Sequence, residues 1–324
     1  MKRGWLLVLL LLAGSAWAQF DHGHAGWDGL LKKHVRWLPD QKQSRVDYNG
    51  FAADRAELKR VLDAMSAVPK AEFERWPRAQ QMAFLVNAYN AFTVELILTR
   101  WPDLKSIKDL GSLLQSPWKK EFFVLLGEKR HLDWIEHDQL RPRYKDPRVH
   151  AAVNCASIGC PALRPEAFTA PKLDAQFDDG MMRFMADRTR NRVAGGKLEV
   201  SLIFKWFRED WEQGWLGFDK LEDMFVRYAA QLSDKPEEQQ KLRERALSPS
   251  FLDYDWSLNA VGRRGAGCWP CEWRSEQRDL RADFLRAFGD EPRELPRINA
   301  VLVGADADNS GGHGLAHVAD GVLR

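Results

Sequence analysis

One stretch limits the fold more than any other. Ala79 to Arg100, AQQMAFLVNAYNAFTVELILTR, is apolar nearly all the way round when wound as a helix. A helix with one apolar stripe can lie on a surface, but one with apolar side chains on every side must be surrounded. The rest of the chain therefore has to wrap a central helix. Asn87 and Asn90, three residues apart, share one face of it. Buried carboxamides need partners, because an orphaned polar group costs about 1–3 kcal/mol. They either cross-link neighbouring backbone or line a site.

Several shorter signals supply the wrapping. Leu58, Val61, Leu62 and Met65 recur at helical spacing between Ala53 and Val68, and Pro69 stops that helix. Phe122 to Leu126, the turn Gly127-Glu128-Lys129, and Arg130 to Leu132 predict a β-hairpin. Asp133 and Glu136 have capping-box spacing at the start of a short helix reaching Leu140, which would make Glu136 a cap partner. Arg148 to Cys155 alternates weakly, as a strand does, and Cys155 to Pro161 reads as a loop. Leu173, Phe177, Met181, Phe184 and Met185 mark another helix, and Leu198, Val200 and Leu202 a half-buried strand. A last helix carries Leu221, Met224, Phe225, Tyr228 and Leu232, with Asp219 as its N-cap. The fold class is α+β: a helix-rich single domain around the buried helix, with a small, mostly antiparallel sheet.

The first residues, MKRGWLLVLLLLAGSAWAQ, have the charged, apolar and A-x-A regions of a signal peptide. Cleavage after Ala18 is expected, rather than retention as an anchor, because the apolar run from Trp5 to Leu12 is too short to cross a bilayer. No later stretch is apolar for long enough, so no transmembrane segment is expected in the mature chain. A periplasmic or secreted protein follows, in a compartment where disulfides persist. Gln19 to Gly29, with His22 and His24, reads as a solvated, fraying tail. Residues 19–260 form the main domain, and 261–324 a Gly/Arg-rich linker with a partial, β-rich, poorly packed tail. The net charge of +2, with both signs interspersed, gives no basic stripe for nucleic acid.

The chemistry concentrates in DPRVHAAVNCASIGCPALRPEAF, from Asp146 to Phe168. The chain has four cysteines, and two of them, Cys155 and Cys160, lie five apart here. A cysteine attacks as thiolate and needs something to lower its pKa from about 8.5, together with a base and an orienting group. Cys155 is the candidate nucleophile, His150 or His137 the base, and Glu136 or Asn87 the orienting group. On an extended strand His150 and Cys155 would stand about 17 Å apart, so they can meet only where the chain turns. The alternative is a Cys155–Cys160 disulfide stapling the loop of a non-catalytic binding or structural module, which an oxidising compartment favours. Cys268 and Cys271 have the spacing of half a zinc site, without a second pair, and no metal or cofactor is expected. Ser201, Lys205 and Asp210 are polar within an apolar stretch, and either line the same pocket or hold the strand-to-helix junction. Trp211 and Trp215, four apart on one helical face, fit core packing better than a glycan platform.

Four ordered blocks, MAFLVNAYNAFTVELIL, LDWIEHDQLRPRYKDPRVHAAVNCASIGCPALRPEAF, SLIFKWFREDW and YDWSLN, resemble those of the domain-of-unknown-function 547 family, over about residues 28–260. The resemblance implies, by analogy, an α+β fold like that of thiol peptidases, and no stated activity. RDLRADFLRAFG and INAVLVGADADNSGG resemble the end of the domain-of-unknown-function 3047 family, which implies a fragment of a β-sandwich. The function expected is that of an exported envelope protein. It is either a cysteine-dependent acyl-transferase or hydrolase acting on an envelope substrate, or a module that binds an envelope partner.

Overall fold

The central helix is present and surrounded. The computed structural model describes residues 20–112 and 115–262. The four longest helices among them are α1 (Ala25–His34), α2 (Arg55–Ser66), α3 (Arg78–Leu98) and α4 (Leu173–Ala186). In α3 every residue from Met82 to Val94 is buried. No glycine or proline interrupts it, and Pro77, whose ring cannot continue a helix backwards, sits at its N-cap. The α2 helix buries Leu58, Leu62 and Met65, one stripe facing the core, and Val61 packs half-buried beside them. The signal peptide expected at 1–18, the Cys268/Cys271 pair and the tail lie outside the described residues, apart from the linker's first two residues.

Among the described residues seven short strands form three small sheets. β1 (Val35–Trp37) pairs antiparallel with β2 (Ser44–Val46), and β3 (Phe123–Leu125) with β4 (Glu128–Arg130). The β3–β4 turn falls on Leu126 and Gly127, both with positive φ, one residue earlier than the sequence suggests. Two positive φ values match the twist of a two-residue hairpin. β5 (Arg192–Ala194) pairs antiparallel with β6 (Lys197–Ser201), and β6 pairs in parallel with β7 (Pro249–Leu252). The sheet is thus three pieces, antiparallel except at β6–β7.

Apolar side chains gather in two clusters. The larger surrounds α3, and the smaller holds Met181, Phe184, Phe204, Trp211, Phe225 and their neighbours. The segment around residues 147–160 runs between them: Ala151 packs in the smaller cluster, Ala152 and Val153 in the larger. The functional candidates therefore sit at a seam between two cores.

Five local expectations need correction. Residues 148–155 do not form a strand. Pro147–Ala151 is a 3-10 helix, begun by the Asp146 carboxylate accepting from Arg148 N at 3.0 Å. Asp followed by Pro is a helix-start pair, and it outweighs the weak alternation. Phe20–Gly29 does not fray: Phe20 stacks on Trp76 and His24 is buried, which holds its pKa down to about 4. Asp219 is not the cap of Leu221–Arg227; Asp223 reaches back to the N–H groups of Asp219 and Lys220 instead. Trp211 is wholly buried, whereas Trp215 begins a kinked turn, so the two do not share a helical face. The capping box at Asp133 is the fifth, and it bears on the site.

Candidate active site

Glu136 is not a cap partner. Trp134–Leu140 is a π-helix, and Asp133 before it makes no side-chain capping bond. Widened turns of this kind re-aim side chains and recur at functional sites. Here the widening carries Glu136 inward, to 3.5 Å between its Oε1 and His150 Nδ1. His150 Nε2 lies 2.7 Å from Asp210 Oδ2. Arg141 grips the same Asp210 with two bonds, Nε at 2.6 Å and Nη2 at 2.9 Å. His150 is buried, with Phe207 stacked on its ring at 3.9 Å. Burial disfavours the imidazolium, but Asp210 and Glu136 outweigh it and raise the His150 pKa. Burial likewise opposes the Asp210 carboxylate, yet His150 and Arg141 bring it down to about 2. Glu136 is held below the usual carboxyl range against its burial by His150, His137 and the Tyr89 hydroxyl.

This placement changes the role of His150. A general base needs one ring nitrogen on the nucleophile and the other on its orienting group. Both nitrogens of His150 face carboxylates, Nε2 within hydrogen-bond distance of Asp210 and Nδ1 3.5 Å from Glu136, an arrangement that favours the charged ring. His137 is half-exposed, with Nδ1 2.9 Å from Arg141 Nη1 and Nε2 3.7 Å from Asp133 Oδ1. Guanidinium groups only donate, so Nδ1 accepts and the ring proton is on Nε2. Burial raises the Asp133 pKa.

Cys155 is brought to the same cavity by the turn in the chain, so the 17 Å separation of an extended strand does not apply. The cavity holds about 210 Å³ and is lined by Cys155, Cys160, His150, His137, Glu136 and Asp133 under a wall of aromatic rings. Cys155 Sγ lies 3.0 Å from Ser157 Oγ and 3.2 Å from Tyr254 Oη, and these two hydroxyls are 2.9 Å apart. The Cys155 N–H donates to Cys160 Sγ at 3.0 Å. Both cysteines are free thiols. Burial pushes the Cys155 thiol up, but donors on its sulfur (the Cys160 thiol, the Ser157 and Tyr254 hydroxyls, the Ser157 N–H) bring it down to about 7. Burial and the neighbouring Cys155 push Cys160 well above the usual thiol range.

The 155–160 loop is fixed from both sides. Ile158 N and Gly159 N donate to Ser257 O and Asp255 O, each at 2.8 Å, and Asn259 N donates to Ala156 O at 3.0 Å. Gly159 lets Tyr254 approach: a Cβ there would come within 2.8 Å of its ring. Ala156, next to Cys155, has φ of 62°, a left-handed conformation that costs on the order of 1 kcal/mol in a non-glycine residue. Asn154 holds that turn by accepting from Ala156 N at 2.9 Å and donating to Pro161 O at 2.7 Å.

Asn87 is not in the site. Its amide donates to Phe168 O at 2.8 Å and accepts from Phe168 N at 3.0 Å, so it cross-links backbone and orients nothing catalytic. Asn90 does the same for Ala152 O and Asn154 N. Of the three polar residues at and after the end of β6, Asp210 joins the cluster, whereas Ser201 lines a separate hollow and Lys205 stands over Phe251. Tyr254, Ser157, Arg141 and Tyr89 belong to the site and were not foreseen. Only Ser157, two residues from Cys155, carried a local signal. Two larger hollows, of about 650 and 560 Å³, border α2 and hold no cysteine. Beside the second, the unpaired His24 Nδ1 and Trp27 Nε1 are sealed from solvent and so cannot meet a ligand. Among the described residues no three His, Cys, Asp or Glu side chains converge as metal ligands, and no helix is long and apolar enough to cross a membrane.

Residues 73–185 match the model of a family described as "Protein of unknown function, DUF547", and residues 263–322 that of "Protein of unknown function (DUF3047)". The first match spans α3, the π-helix, the cysteine loop and α4, and stops before Asp210 and Tyr254. It is narrower than the resemblance seen over about residues 28–260. No curated protein and no solved structure matches the chain.

Proposed function

We propose that this protein is a cysteine-dependent acyl-transfer enzyme or hydrolase, with Cys155 as nucleophile. One observation carries the reading: a thiol at the base of an aromatic-walled cavity, bonded by two hydroxyls and drawn down to about 7. A thiol of that pKa is about half thiolate at neutral pH, and that fraction attacks a carbonyl without a base. The Cys155 sulfur bonds to the carbonyl carbon, the leaving group departs, and water or another acceptor takes the acyl group from the thioester.

Leaving-group chemistry narrows the substrate. An amide expels an amine that must be protonated, whereas an ester or thioester with an acidic leaving group need not be. His150 Nε2 is taken by Asp210, its Nδ1 turns to Glu136 at 3.5 Å, and His137 Nδ1 is taken by Arg141; the Cys155 sulfur bonds to Ser157 and Tyr254 and to neither ring, so neither ring is poised for that proton transfer. The site suits activated esters and thioesters. The N-terminal leader pattern supports an extracytoplasmic place of action, on an envelope substrate.

The test uses reduced protein with 4-nitrophenyl acetate and 4-nitroacetanilide. The ester should give a burst of nitrophenolate and an acetyl group on Cys155 by mass spectrometry, and the anilide neither. Acetylation of Cys155 no faster than that of free cysteine at the same pH would remove the basis of the reading.

A further inference from the structure

Cys160 lines the same cavity and supports the Cys155 thiolate without itself reacting in acyl transfer. Its sulfur lies against Cys155 and Tyr254. It takes the Cys155 N–H at 3.0 Å, and each thiol shifts the pKa of the other. The loop between them is held by its bonds to residues 255–259 and by the Asn154 side chain, so the sulfurs are apposed before any reaction. Cys155 is half-exposed and Cys160 only 7 % exposed, so a reagent entering the cavity meets Cys155 first. The Ser157 and Tyr254 hydroxyls point at Cys155 Sγ, where they can also donate to an oxygen leaving from it.

We infer that Cys155 and Cys160 form a reversible redox couple, with Cys155 oxidised by a hydroperoxide and Cys160 resolving it, so that the nucleophile is shut off and protected under oxidation. This rests on the proposal that Cys155 is the nucleophile. In the first step the Cys155 thiolate attacks the distal peroxide oxygen. An S–O bond forms, the O–O bond breaks, and the departing alkoxide or hydroxide takes a proton to leave as alcohol or water. In the second the Cys160 sulfur attacks the sulfenic sulfur. An S–S bond forms, the S–O bond breaks, and the hydroxyl leaves as water with the Cys160 proton. Two thiols lose two electrons and one hydroperoxide gains them. An external dithiol restores both thiols by exchange. Because the loop is already closed by backbone bonds, closing the disulfide needs side-chain rotation and little else.

The experiment reduces the full chain, removes the reductant, adds stoichiometric hydrogen peroxide, blocks remaining thiols with iodoacetamide and maps the peptides. Mapping keeps this pair apart from Cys268 and Cys271. The expected result is a Cys155–Cys160 cross-link, loss of Cys155 labelling, and recovery of labelling with dithiothreitol. In Cys160→Ala, with folding checked by circular dichroism, Cys155 should instead be trapped by dimedone and then pass to sulfinic acid. The inference is overturned if wild-type Cys155 goes to sulfinic acid while Cys160 still labels, or if neither sulfur changes. Labelling of reduced Cys155 before peroxide is read separately: if it is fast and the cross-link is absent, the redox couple fails and the nucleophile stands. If it is no faster than free cysteine, the nucleophile reading fails.

Discussion

Two buried polar regions meet at the segment from Asp146 to Pro161, and they are built on opposite terms. On one side are the carboxamides. Asn87 and Asn90 close on backbone groups of Phe168, Ala152 and Asn154, and Asn154 on Pro161 and Ala156. Those donors and acceptors are matched within the protein and fixed. On the other side Cys155, Ser157 and Tyr254 crowd their heteroatoms together around one cavity, where each has a lone pair or proton to give elsewhere. Burial and polarity are common to both. Whether the hydrogen bonding closes inside the protein separates scaffold from site.

The sharpest way to break the comparison is at Cys155. Cys155→Ser should lower acyl transfer by roughly 10³-fold or more, as removing a nucleophile does, with little change in stability. Kinetics with 4-nitrophenyl acetate, beside a urea melt, would check this. Equal acetylation of the variant at another residue would move the site elsewhere.

Asp210 tests whether the His150 cluster belongs with the scaffold. Asp210→Asn leaves Arg141 and His150 without their shared partner, and breaking such a buried pair costs about 3–5 kcal/mol. The pH dependence has a definite sign. The His150 pKa is raised by folding, so its share of stability is full below about 6.5, its unfolded value, and is lost as pH rises through the folded value. Asp210 is lowered to about 2, so its share is present above 3.8 and lost as pH falls towards 2. The gap in stability between wild type and Asp210→Asn should be widest between about pH 4 and 6.5. A gap that stays constant with pH would show that Asp210 acts by packing alone.

Asn90→Ala probes the closed side. It strips a partner from Ala152 O and from Asn154 N, at about 1–3 kcal/mol. Chemical denaturation should show that loss, while the rate of Cys155 alkylation in the folded protein stays near wild type. A large change in alkylation would mean that the two regions are one.

How much of this could be read beforehand follows from the reach of each signal. The burial of α3, the stripe on α2 and the hairpin at Phe123–Arg130 depend on neighbours a few residues away, and periodicity records such neighbours. The scaffold role of Asn90 needed only the reasoning that a buried amide must pair. Asp133 to Glu136 misled, because capping-box spacing says nothing of the π-turn that swings Glu136 to His150. Asp146-Pro147 held its helix-start signal openly, but weak alternation hid it. Tyr254 is 99 residues from Cys155 and Asp210 60 from His150. No local pattern encodes a contact of that span, so the aromatic wall appears only once the chain is folded, and Asp210 could be named as a pocket candidate but not matched to His150.

The smallest effect sharpens the comparison most finely, because it removes a single oxygen. Tyr254→Phe keeps the ring against Gly159 and takes away one of the hydroxyls on Cys155 Sγ. Ser157 and the Cys160 thiol remain, so the thiolate loses part of its support. Its pKa should rise from about 7 by roughly one unit, equivalent to about 1.4 kcal/mol of differential interaction. The rate of iodoacetamide labelling against pH reads this directly, as a shift of the midpoint to higher pH with the plateau unchanged. Ser157→Ala should shift it in the same direction. If neither does, the low pKa comes from another source, and Tyr254 belongs with the scaffold.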